Sequence, residues 1–151
     1  MNIQIENQQT KIPPNRRQIR STLQKLLRHL GREDGELSVL LVDDEGIREI
    51  NRRFLNRDRP TNVISFAMTE GGHGQITPQL LGDIVISLET AKREGEANGL
   101  TLSESIDFLL IHGLLHLLGY DHEGGKHSEA RRMEEKEDEL FFLLRHMYLE
   151  R

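Results

Sequence analysis

Apolar and polar residues alternate through Asn2-Ile3-Gln4-Ile5-Glu6-Asn7, the period of a strand with one buried face. After Pro13 and Pro14 the period lengthens to that of a helix. Ile19, Leu23, Leu26, Leu27 and Leu30 recur on one face, Asn15 stands where a cap belongs, and Gly31 stops the run. Residues 36–42, ELSVLLV, are largely apolar and predict a second strand. Asp43 offers an N-cap with acidic residues in the first turn behind it, opening a helix through roughly Phe54. Two further strands are expected at Val63–Phe66 and Asp83–Ser87, with the polar, glycine-rich TEGGHGQITPQ between them as a mobile loop. Leu88–Asn98 reads as a helix ended by Gly99, and Thr101-Leu102-Ser103-Glu104 is a capping box that opens the next. The last helix, about Ser128–Arg145, turns Met133, Leu140, Phe141 and Leu144 inward, while its Glu134–Glu139 segment reads as a solvated face.

These elements describe an α+β fold: one mixed, mostly four-stranded sheet packed with about five helices. No repeat, linker or composition break divides the 151 residues, so a single domain over 1–151 is expected, long enough to bury a core. Hydrophobic content of 36% beside 30% charged residues suits a soluble globule. No apolar stretch approaches the ~18 residues of a membrane span. The first residues have neither the basic nor the apolar region of a secretory signal, which makes the cytoplasm the expected location. Cysteine is absent, which excludes disulfides and thiolate ligands and leaves nitrogen and oxygen to hold any metal.

The net charge of −5 argues against a uniformly basic nucleic-acid binder, yet the charge is uneven. Residues 1–62 carry 12 Lys+Arg against 9 Asp+Glu, and the remainder is strongly acidic. Arg16, Arg17, Arg20, Lys25 and Arg28 form one basic cluster; Arg52, Arg53, Arg57 and Arg59 form another. Each is a candidate phosphate-attracting face, and each also fits an ordinary solvated helix face.

The chemistry concentrates in HGLLHLLGYDH, residues 112–122. His112 and His116 are four apart, so on a helix they share a face and can point at one ion. Gly119 lets the chain leave the helix in a conformation open to few other residues, and His122 returns as a third ligand. Three imidazoles leave a fourth tetrahedral position open, as in a catalytic site rather than a closed structural one. His127 lies past the turn and reads as a surface residue near the start of the next helix. Asp121 is a candidate either for orienting a ligand imidazole or for stabilising the chain reversal.

The spacing is that of the metzincin proteases, HExxHxxGxxH, whose glutamate is the general base. Here Gly113 occupies that place. A helical glycine costs about 1 kcal/mol relative to alanine, so its presence suggests a need for space beside the metal. A protease reading loses its base while the metal cage survives. A phosphodiester brings its own anionic oxygens, and metal plus arginine would neutralise them.

Together HGLLHLLGYDH, RPTNVISF at 59–66 and LGDIVIS at 81–87 resemble the YbeY family of bacterial ribosomal-RNA maturation factors, in that family's order and over nearly the whole chain. The resemblance implies a zinc-binding α+β fold, with one Zn(2+) per chain on His112, His116 and His122, and cleavage of single-stranded RNA. It also implies partners in ribosomal RNA and the ribosome or its assembly factors; neither DNA nor membrane is expected. The family's Pro-Thr-Asx-Val segment falls on Pro60, Thr61, Asn62 and Val63, and its Gly-Asp pair on Gly82 and Asp83. Where some members carry an arginine five residues before that proline, this chain has Leu55, so Arg53, Arg57 and Arg59 are candidates to take its place. Arg59 and Asp121 are the candidates for catalytic assistance. Asn62 and Asp83 have an equally good reading as residues that close strand ends. Two other functions compete with the nuclease: a non-enzymatic ribosome-assembly factor with a structural zinc, and a metalloprotease-like hydrolase.

Overall fold

The alternating and helical periods are realised as β1 (Asn2–Asn7), α1 (Arg16–His29), β2 (Glu36–Val42), α2 (Asp44–Leu55), β3 (Val63–Ala67), β4 (Leu80–Ser87), α3 (Leu88–Ala97), α4 (Leu102–Leu117) and α5 (His127–Arg145). They come from a computed structural model that describes residues 1–68, 79–120 and 127–149, the side chain of His127 apart. The expected loop at 69–79 lies outside the described residues but for its last position. The four strands form one mixed sheet in the order β1-β2-β4-β3. β1, β2 and β4 run parallel, and β3 closes the edge antiparallel to β4, with Val63 opposite Ile86 and Ala67 opposite Gly82.

The apolar run in β2 is explained by burial on both faces. Leu37, Val39 and Leu41 join Ile84 and Ile86 in the main core against α1 and α4, while Leu40 and Val42 pack with Val85 and with Ile47 and Ile50 of α2. α4 is apolar nearly all round, as befits a helix enclosed by others. Leu109, Leu110, Ile111, Leu114 and Leu115 are all buried. No single helix among the described residues is long and apolar enough to cross a membrane.

β4 starts at Leu80, three residues before the expected Asp83, because Gly82 does not end the strand. It sits within it at φ +138°, where a Cβ would lie 2.1 Å from the carbonyl oxygen of Phe66 on β3. The glycine marks close backbone approach.

Part of the first basic cluster serves the sheet. β1 is an edge strand, and Arg20 Nη1 donates to the Ile3 carbonyl at 2.7 Å while Arg16 Nη1 reaches that of Ile5 at 3.4 Å. These guanidinium groups cover backbone acceptors of the kind an open edge offers to other chains.

Candidate metal centre

α4 begins with the reciprocal capping box read from the sequence: Glu104 N–H donates to Thr101 Oγ1 at 3.1 Å and Thr101 N–H to Glu104 Oε1 at 2.8 Å. It ends in a Schellman turn. Tyr120 N–H reaches the Leu115 carbonyl at 3.0 Å and Gly119 N–H that of His116 at 3.1 Å. Gly119 holds φ +97°, the conformation for which glycine was expected there.

Between those ends, His112 and His116 face each other with Nε2 atoms 3.1 Å apart and ring planes at 71°. Two nitrogens about 2.0–2.1 Å from a shared tetrahedral ion would be about 3.4 Å apart, so the pair fits a common cation with little adjustment. Asp121 and His122 lie outside the described residues. Among the described residues no third acidic or imidazole side chain completes a metal-holding group with the pair.

On its other side, His112 Nδ1 lies 2.8 Å from Glu137 Oε2 of α5. Glu137 is only 1% exposed, so the Glu134–Glu139 segment is not wholly the solvated face expected of it. The signal was present. Met133, Glu137, Leu140, Phe141 and Leu144 fall on one helical stripe, and a carboxylate in an apolar stripe needs a buried partner.

Gly113 also corrects its expectation. A Cβ there would meet Ile84 Cγ2 at 2.9 Å and Ser65 Oγ at 3.2 Å. The space it provides lies against the sheet, not in the histidine cleft. Ser65 Oγ donates to the Gly113 carbonyl at 3.1 Å, fixing the histidine helix to β3.

The imidazoles open into a cleft of about 470 Å³ whose lining includes Arg57, Arg59, Leu55 and Tyr120. Of the candidate arginines, Arg57 and Arg59 are therefore at the cleft, and Arg53 is not. The Arg53 guanidinium lies 5.7 Å from the centre of the Phe54 ring. The 56–62 loop is held from below by Asn51, a buried residue the sequence reading passed over. Asn51 Nδ2 donates to the Arg59 carbonyl at 2.9 Å, and the Asn51 carbonyl accepts from Arg57 N–H at 3.2 Å. Asp58, between the two arginines, turns instead to Arg48 at 2.8 Å. Its hydrogen bond to Arg48 holds its carboxyl below the usual range, so it stays charged without lining the cleft.

Asn62 lines the cleft yet has strand-closing bonds too. Its Oδ1 accepts from Val63 N–H at 2.7 Å and its Nδ2 donates to Glu94 of α3 at 2.9 Å. Asp83 is exposed, accepts from Ser38 Oγ, and is not part of the histidine cleft. Its setting is that of a strand residue.

The comparisons with known proteins agree with one another. A family model described as Endoribonuclease YbeY matches residues 2–145. A protein named Endoribonuclease YbeY from Syntrophus aciditrophicus is 53% identical over 95% of this chain and 90% of its own length. One of the same name from Geobacter sulfurreducens is 50% identical over 95% of this chain and 96% of its own. The solution structure of a Thermotoga maritima protein superposes with a TM-score of 0.63 at 22% identity, covering 95% of this chain and 92% of that one, and so shares the fold. Matches of that extent and identity establish that the chain belongs to the endoribonuclease YbeY family.

Proposed function

We propose that the histidine cleft is the active site of a metal-dependent endoribonuclease that cuts single-stranded RNA during ribosomal RNA processing. The observation that carries this reading is the convergence of His112 and His116 Nε2, 3.1 Å apart, in a cleft lined by Arg57 and Arg59. Zinc is the proposed ion and His122 the proposed third ligand, since all-imidazole donor sets suit it and the chain has no thiolate to offer. A divalent cation held there supplies Lewis acidity for attack of water on a phosphodiester.

The protein's own residues do the rest. Arg57 and Arg59 hold the anionic backbone by charge and oriented N–H donors. Asn51 keeps both at the cleft wall by fixing the loop that carries them. A duplex is too broad to bring a phosphate down to recessed histidines, whereas a single strand can bend in. Ribosomal RNA is the proposed substrate and the cytoplasm the proposed location, with the ribosome or its assembly factors as partners.

The test pairs metal analysis with cleavage of single-stranded RNA, wild type beside His116→Ala, in preparations free of contaminating nuclease. The expected result is a folded variant that has lost both zinc and cleavage. A variant that cleaves like wild type would sink the reading, and one that unfolds on losing zinc would favour a structural metal instead.

A further inference from the structure

We propose that Glu137 is the positioning residue of this centre, holding His112 through Nδ1 so that Nε2 is aimed into the cleft. The proposal rests on the reading of His112 as a metal ligand. The contact is short, 2.8 Å, and joins residues 25 apart in the chain. The carboxylate that makes it is 1% exposed, whereas the imidazole keeps 26% of its side-chain surface open towards solvent. Aromatic rings flank the contact: Phe108 lies 6.3 Å from His112 and, edge to face, 6.3 Å from Phe141 of α5.

A hydrogen bond at one ring nitrogen decides what the other can do. With Glu137 accepting from Nδ1–H, the neutral ring must carry its lone pair on Nε2, the atom facing His116. That lone pair points across a 3.1 Å gap at His116 Nε2, the other nitrogen a shared cation would meet. The carboxylate thus selects the tautomer a cation requires, fixes the ring plane and makes the imidazole a stronger donor.

A purely structural role for the pair, joining α4 to α5, is less economical. Asp107 of α4 already binds Arg145 of α5 at 2.7 Å, and Phe108 already packs on Phe141. Placing a carboxylate in the apolar stripe of α5 is costly, and helix docking alone does not require it.

The experiment measures zinc affinity by chelator competition, and thermal unfolding of the metal-free protein, for wild type, Glu137→Gln and Glu135→Gln. Glu135 is exposed on the same helix and controls for the loss of one charge. Positioning predicts that Glu137→Gln weakens zinc binding by about 10–100-fold while Glu135→Gln leaves it unchanged. Wild-type zinc affinity in Glu137→Gln, with only its metal-free stability lowered, would overturn the proposal. Should that variant not fold, nitrogen NMR of the metal-free wild type decides at a pH where imidazole is neutral. The proton of His112 is expected on Nδ1, and finding it on Nε2 overturns the proposal equally. Wild-type protein that takes up no zinc at all would remove the ligand reading itself, and the proposal with it.

Discussion

At position 113 two demands on one residue conflict. Glycine costs the helix about 1 kcal/mol against alanine, but any Cβ there enters the space of Ile84, which is fully buried and β-branched on its strand. Overpacking typically costs about 1–3 kcal/mol, so Gly113→Ala should be destabilising or near neutral despite its better helix propensity. Gly113→Glu, which restores the protease pattern on paper, drives a carboxylate towards the sheet rather than the imidazoles. It should lose more than about 3 kcal/mol and gain no peptidase activity. Urea unfolding and a peptide panel check both, and a stable, peptide-cleaving Gly113→Glu would show that the side chain reaches the cleft after all. The histidine pair and Gly119 were legible in the sequence because their relation is local, set by helix period and by one backbone conformation. The reason for Gly113 and the burial of Glu137 were not, because each depends on which element docks opposite. For Glu137 the stripe from Met133 to Leu144 held the clue.

Among elements, α1, α4 and α5 meet at one buried carboxylate. Asp107 accepts from Thr22 Oγ1 at 2.7 Å and Gln18 Nε2 at 3.1 Å on α1, and from Arg145 Nε at 2.7 Å on α5. Asp107→Ala leaves Thr22 Oγ1 and Arg145 Nε without this acceptor, while Gln18 Nε2 keeps the Ser103 carbonyl at 2.9 Å, and should cost about 3 kcal/mol, read as a lower denaturation midpoint at unchanged slope. A loss under about 1 kcal/mol would mean that apolar packing and the bonds of Gln18 and Arg145 to Ser103 hold the three helices without the carboxylate. A second junction carries a pH signature. Partial burial pushes the Asp44 carboxyl up, but hydrogen bonds from Thr90 at 2.6 Å and Ser87 at 2.7 Å, with Arg93 at 2.8 Å, outweigh it and leave the group below its usual value. A carboxyl depressed on folding stabilises above its unfolded pKa, and that contribution is lost as pH falls through the lower folded one. The fold should therefore lose stability below about pH 4, and Asp44→Asn should flatten that part of the stability profile. Caps made the helix starts readable: Asn15, Asp43 and Thr101 all accept the bonds expected of them. The start of β4 was not legible, because its continuation back through Gly82 to Leu80 depends on β3, which lies against that glycine.

On the scale of the whole molecule, the mixed sheet could be anticipated from element order, but the insertion of β4 between β2 and β3 could not, since strand order depends on pairings between distant segments. The same non-local fact decides what the basic residues do. By sequence the two arginine clusters look equivalent. The fold places Arg20 over an edge-strand carbonyl and Arg57 and Arg59 at the histidine cleft, in a protein whose net charge is −5. Binding to a single strand should therefore depend on a local field, and each phosphate contact should add about 0.7 to the slope of log affinity against log salt. Measured on metal-free protein, so that the strand stays intact, Arg57→Ala and Arg59→Ala should each flatten the slope by about that amount. Arg20→Ala should leave it unchanged. Equal slopes for all three variants and wild type would mean that the strand does not run past the histidines. A change confined to Arg20→Ala would move the RNA path to the far edge of the sheet.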